Sequence, residues 1–366
     1  MTTVKTTQNA PRIDFSDLRN LLSMLAMSAA LYIGAPLLFS TYNLNLTAKF
    51  ICFAIAGVGI MLVWGKGGML ALGQGFYFGI GGYAMAMNMK LTDASLNGGN
   101  GVPDFMSLYG DGTVPVWWEP FRNPAITIAV IILVPALIAA GLGLAVFKNR
   151  IKGPYFAILS QALAAAFVIL LIGQQTTTGG TNGLNGFRFF FGQALGSPDS
   201  TEFLFHIAVV ALLATMFVAY VLLRSRFGEL LIAVRDSEER IRFLGTDPAN
   251  IKVFAYVIAA IMAAVAGALF SPIAGIISPA DVGIIPSLAL LAGVAIGGRT
   301  NLFGSVIGAI LFSFAQNWLS NEFPSFWTYF QGLIYILVFG FFPGGFAALM
   351  KSLKKLSLLK LGAKHA

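Results

Sequence analysis

Ten long apolar runs constrain this chain more than anything else in it. They lie near residues 21–40, 44–64, 67–89, 124–147, 154–173, 203–223, 252–271, 284–298, 302–320 and 330–350. A helix needs about 20 mostly apolar residues to cross a bilayer. In hydrocarbon every backbone N–H and C=O must be bonded within the protein, which leaves helices and closed barrels. Runs of this length favour helices. Composition excludes the other classes: AVILMFWYC make up 57% of 366 residues and charged residues 10%, where a soluble domain carries about 25% charge. The mean hydropathy is +0.80, the opposite of a disordered chain. The expected fold is all-α, a polytopic integral membrane protein of about ten transmembrane helices. The third run is broken by glycines, and the eighth is short and bounded by Pro286 and Gly297-Gly298. Either is open to re-entering the membrane instead of crossing it.

Lysine and arginine placement sets the orientation. With the N-terminus cytoplasmic, the inner segments hold Lys5, Arg12, Arg19, Lys66, Lys148, Arg150, Lys152, Arg224, Arg226, Arg235, Arg240, Arg242, Lys252, Arg299, Lys351, Lys354, Lys355, Lys360 and Lys364. The outer side keeps Lys90, Arg122 and Arg188, with Lys49 just inside the second run. Both termini are then cytoplasmic. The layout is an N-terminal tail at 1–20, a membrane domain at 21–350 and a basic C-terminal tail at 351–366. An outer loop falls at about 90–123 and a charged inner segment at about 224–251. The net charge of +8 reads as a record of topology, with no positive support for nucleic acid. About twenty polar residues precede the first run, so it reads as an uncleaved anchor.

The runs contain no Asp or Glu, which counts against a carrier that binds a coupling ion at mid-membrane. Two histidines and one cysteine make no metal constellation. No catalytic triad or carboxylate pair can be placed in the membrane, and no P-loop occurs. The expectation is no catalytic residue, no metal and no cofactor. What the runs do contain is glycine and amide. Residues 65–82 hold eight glycines, enough to unwind a helix and expose backbone where it is buried or lines a path. Gly75/Gly79, Gly293/Gly297, Gly304/Gly308 and Gly340/Gly344 fit the small-xxx-small spacing of close helix packing. Gln74, Gln161, Thr181, Asn182 and Asn185 can donate and accept hydrogen bonds to a neutral polar solute, or simply join helices.

The inner segment RSRFGELLIAVRDSEERIRFLGTDPANIK spans 224–252. Phe227, Leu230, Leu231, Val234, Ile241 and Leu244 recur at helical spacing and predict one apolar face. Gly245 reads as a helix stop and Asp247-Pro248 as a turn. Its mixed charge favours docking into a partner's groove over lying on lipid headgroups. With no ATPase in the chain, a cytoplasmic partner is a plausible source of energy.

These segments resemble a known family. RFGELLIAVRDSEERIRFLGTDP, GGMLALGQGFYFGIGGYAMAM, RIKGPYFAILSQALA followed by TTTGGTNGLNGF, and VAIGGRTNLFGSVIGA are similar to the permeases of branched-chain amino-acid-type ABC transporters, in the family's order, from about residue 20 to 350. Within the family, the outer stretch at 102–124 and the SQAL motif resemble the urea-transporter permease of the C type. SLALLAG at 287–293 departs from that type, which carries an acid-containing run there. The resemblance implies a bacterial inner-membrane importer for urea or a similar small amide. It implies a second homologous permease in a heterodimer, two cytoplasmic ATP-binding subunits and a periplasmic solute-binding protein. On this reading Gln74, Gln161, Asn182 and Tyr155 are the candidate path residues, and Glu229, Arg235, Glu238, Arg240, Phe243 and Gly245 couple to the ATPase. The alternatives are a branched-chain amino acid permease and a passive channel for a small neutral solute. A membrane-embedded enzyme would need clustered His, Asp or Glu, which the sequence lacks.

Overall fold

A computed structural model describes residues 23–96, 101–151 and 153–341. The terminal tails with their lysines and arginines, Lys152 and the Gly340/Gly344 pair lie outside the described residues. Within the described residues each apolar run contains a helix, and that of the third begins only at Gln74. Among the described residues six helices are long and apolar enough to cross a membrane: α2 (Thr41–Lys66), α4 (Pro124–Lys148), α5 (Gly153–Gly173), α6 (Pro198–Arg224), α9 (Pro248–Ala274) and α11 (Leu302–Glu322). Between and around them stand α1 (Ser23–Leu38), α3 (Gln74–Leu96), α10 (Ile284–Gly297) and α12 (Trp327–Phe341). Two short helices, α7 (Arg226–Asp236) and α8 (Glu238–Phe243), form the inner segment. Four two-residue strands, β1 (Leu184–Asn185), β2 (Phe189–Phe190), β3 (Gln193–Ala194) and β4 (Ile276–Ile277), and a few single helical turns, Pro279–Val282 among them, lie in the connections.

The core is α3 crossed on α9, with α2 and α4 packed on the same pair. Glycine makes this possible. A Cβ at Gly81 would overlap the Ala264 carbonyl, and one at Gly267 would overlap the Phe78 carbonyl. Backbones in contact gain dispersion and exclude lipid, the main attraction available where water is absent. The α10–α11 crossing uses the same device, with Gly293, Gly297, Gly304 and Gly308 meeting face to face. Tyr77 and Tyr256 are buried in the core and share a hydrogen bond of 2.9 Å. Cys52 is fully buried in α2.

The described basic residues fall into separate groups. The α7–α8 segment, Gly65 and Arg299 gather at one end of the bundle: Arg235 donates to the Gly65 carbonyl at 3.1 Å, and Arg299 stacks over Trp64. Lys148, Arg150, Arg242 and Asp247 share a groove at that end. Lys90 and Arg188 share a different groove with Asp93 and Asp104. Arg122 pairs with Glu119 at 2.7 Å, which holds the Glu119 carboxyl below its usual range.

Asp93 is a buried carboxylate near the end of α3. It accepts the backbone N–H groups of Arg188 and Phe189, both at 2.9 Å, and so fixes the β2–β3 hairpin to the bundle. Asp93→Ala leaves two donors without their acceptor, which costs about 1–3 kcal/mol. We expect lower thermal stability in detergent and faster proteolysis of residues 186–196. Unchanged melting would show that water replaces the carboxylate without loss.

Candidate functional site

Two helices of the bundle start inside it. α2 ends at Lys66, and the backbone then runs without helix to Gln74. Gly68, at φ +69°, makes the turn. This is the unwinding that the glycines predict. The exposed amides find partners: Met69 N–H bonds Val63 O at 3.0 Å, and Leu72 N–H bonds Ser160 Oγ at 3.1 Å. Gly73 lies so close to Ser160 that a Cβ would overlap its carbonyl.

The connection between α9 and α10 also turns inward. Its β4 pairs antiparallel with β1, joining it to the glycine-rich loop after α5. Gly183 holds φ +65° against the Ile277 carbonyl, where no side chain fits. The chain then descends along α3, from Ile277 beside Gly82 to Gly283 beside Gly75. α10 therefore begins within the bundle. At 14 residues and 1.5 Å per residue it is about 21 Å long, short of the roughly 30 Å hydrocarbon core. The N-termini of α3 and α10 meet there, with Gly75 N–H bonded to Ser287 Oγ at 3.0 Å. Interrupted helices whose ends meet inside a bundle are how many transporters build a solute site.

Of the candidate path residues, Gln74 stands at this junction. It is 1% exposed, and neither amide atom has a hydrogen-bond partner among the described residues. Gln161 is half-buried on α5, next to Ser160. Tyr155 is exposed on the same helix, and Asn182 is exposed in the loop after it. The structure brings Gln74 and the Ser160–Gln161 turn to one region. It leaves Tyr155 and Asn182 on the surface.

A second group of residues was not singled out from the sequence. α2, α10, α11, α12 and the descending connection line a half-open cavity of about 490 Å³, within the roughly 300–1,000 Å³ typical of small-molecule sites. Lys49 and Asp281 line it together with Ser313, Gln316, Asn317 and Gln331. Its apolar wall includes Phe50, Phe53, Phe270, Leu290 and Phe312. Asp281 falls between apolar runs in the sequence, yet the inward turn places it beside a lysine of α2. Its Oδ2 accepts from the N–H of Ser278 at 2.9 Å and its Oγ–H at 2.6 Å. A signal existed: Ser313, Gln316, Asn317 and Ser320 repeat at helical spacing on α11, a polar stripe in an apolar helix.

The inner segment differs from one continuous helix. Ser237, at φ −158°, splits it into α7 and α8. Leu231, Val234 and Ile241 are buried, and Phe227 packs edge-on against Phe254. Leu244 does not join this face and is 79% exposed, beside Phe243 at 90%. The apolar face is thus spent on the bundle itself, and the tip Phe243-Leu244 is what remains for a partner. Gly245, at φ +82°, ends the tip. Glu229 and Arg240 are exposed, while Glu238 bonds both Arg242 and Lys252.

The family described as "Branched-chain amino acid transport system / permease component" matches residues 42–341. The chain belongs to that family. This permease is of the ABC type and is a multi-pass protein of the bacterial inner membrane. It is 27% identical to the high-affinity branched-chain amino acid transport system permease protein LivM of Salmonella typhimurium, over 94% of this chain and 79% of the relative. It is 24% identical to LivH of Escherichia coli, over 78% and 89%. The ribose import permease protein RbsC of Escherichia coli is 26% identical over 54% and 62%. No solved structure matches the chain. LivM and LivH stand with the branched-chain amino acid alternative, and none of these relatives supports the urea type that the outer loop resembles.

Proposed function

We propose that this permease is one membrane half of an ATP-driven importer of branched-chain amino acids. The observation that carries this reading is the match of its family over residues 42–341. The chain is similar to both LivM and LivH, and a second, homologous permease is the natural partner. Two cytoplasmic ATP-binding subunits and a periplasmic solute-binding protein complete the proposed assembly. The chain performs no covalent chemistry in it. Phe243-Leu244 enters the ATPase, and the motion passes through Glu238 and Lys252 into α9 and through Arg235 into the end of α2. The solute path runs past Gln74 and Gln161, with Tyr155 and Asn182 on faces that a partner would cover.

Urea remains the second reading because residues 102–124 resemble the urea-type insert. In the structure that stretch caps the bundle: Trp118 is fully buried, and the Phe121 carbonyl accepts from Asn88 at 2.7 Å. Competition in the reconstituted complex separates the two. Leucine is expected to displace labelled leucine, while excess urea leaves uptake unchanged. Urea uptake without leucine uptake would overturn the amino acid reading.

A further inference from the structure

We infer that the cavity between α2, α10 and α11 is a recognition site for a zwitterionic aliphatic α-amino acid, with Lys49 holding the carboxylate and Asp281 the ammonium. The inference rests on the amino acid reading above and assigns its residues.

Lys49 lies eight residues into α2, inside a membrane helix, where an unpaired charge is expensive and marks function. A lysine near a helix end can snorkel to the headgroups. Lys49 instead lies on the stripe Leu46, Lys49, Phe50 and Phe53, which faces the cavity. Asp281 lines the same cavity. Yet Lys49 forms no ion pair within 4.0 Å among the described residues. Asp281 uses only Oδ2 on the Ser278 cap, and Oδ1 carries no hydrogen bond.

Two opposite charges that share a cavity without closing on each other suit a ligand carrying both complementary charges. A free α-amino acid does. Gln316 and Asn317 supply neutral donors and acceptors between the poles, and Phe53, Phe270 and Leu290 offer an apolar wall for an aliphatic side chain. A neutral planar amide such as urea has no use for either charge. Both charges are half-buried in its lining, and a zwitterion would pair with each of them.

The test is leucine uptake by the full transporter in proteoliposomes, with Lys49→Met, Lys49→Arg, Asp281→Asn and Ser278→Ala in this subunit. Asp281→Asn keeps an acceptor for the Ser278 cap and removes only the charge, while Ser278→Ala weakens the cap and keeps the charge. We expect Lys49→Met and Asp281→Asn each to raise KM for leucine roughly tenfold or more, as removing the charge that pairs with one end of the ligand does. Lys49→Arg and Ser278→Ala should stay within about twofold, since both charges are retained. If wild type carries leucine and both charge-removing variants keep its KM, the site assignment falls and the amino acid reading stands. If Ser278→Ala raises KM as much as Asp281→Asn, the carboxylate acts only as a cap and the assignment also falls. If wild type carries no leucine, the reading itself fails. Should Lys49→Met not accumulate, Asp281→Asn gives the same readout from the other pole.

Discussion

Gly267→Ala should leave no folded permease to purify. The added Cβ would sit on the Phe78 carbonyl, and the amide of Gly82 stands next in line. Backbone cannot rotate away as a side-chain tip can. The only relief is to part α3 from α9, the two helices on which α2 and α4 pack. Ordinary overpacking costs about 1–3 kcal/mol, and separating the central crossing exceeds that range. Fluorescence-detected size exclusion of a tagged variant is the measurement, with loss of the monodisperse peak expected. Gly141→Ala is the matched control, because a Cβ there meets nothing within 4 Å. A Gly267→Ala variant that elutes and melts like wild type would mean that the crossing is looser than described.

The second large effect is expected at the inner tip. Phe243→Asp changes a side chain that is 90% exposed, and surface changes of this kind usually alter stability by less than about 0.5 kcal/mol. The membrane fold should therefore survive. Docking should not, because exposed aromatic anchors of this kind often carry much of an interface's energy, about 2 kcal/mol or more each. Co-purification of the ATPase subunits is expected to drop, and solute-stimulated ATP hydrolysis to fall by roughly tenfold or more, the equivalent of that energy. Normal stimulation in the Phe243→Asp complex would place the coupling contact elsewhere, with Glu229 and Arg240 as the next positions to change.

Much of the architecture is legible in the sequence because lipid imposes a local rule. Each apolar run must satisfy its own backbone, so length and hydropathy suffice to find it. The glycine density at 65–82 correctly signals a helix break before Gln74. The inner segment is legible as two amphipathic turns but not as a split at Ser237, since a bend of one residue leaves little trace in periodicity.

Asp281 and Lys49 are harder. A lysine eight residues into a helix reads as a snorkelling end, and an aspartate between two runs reads as a loop. Their meeting depends on the connection turning inward along α3, which follows from Gly75, Gly82 and Gly183 accepting backbone at contact distance. Such long-range approaches have no local signature. The urea expectation rested on an outer loop that packs as a lid, and a lid's sequence is a weaker guide to cargo than the groups lining a cavity.

Cys52 offers a practical consequence. It is the sole thiol of the chain, and it is sealed within α2 at 0% exposure. A thiol without solvent access stays inert to alkylating dyes. The native permease is therefore already a silent background for single-site labelling. A cysteine introduced at Phe243 or Leu244 would take a fluorophore there and nowhere else, so the approach of the ATPase could be timed on the unaltered transmembrane bundle.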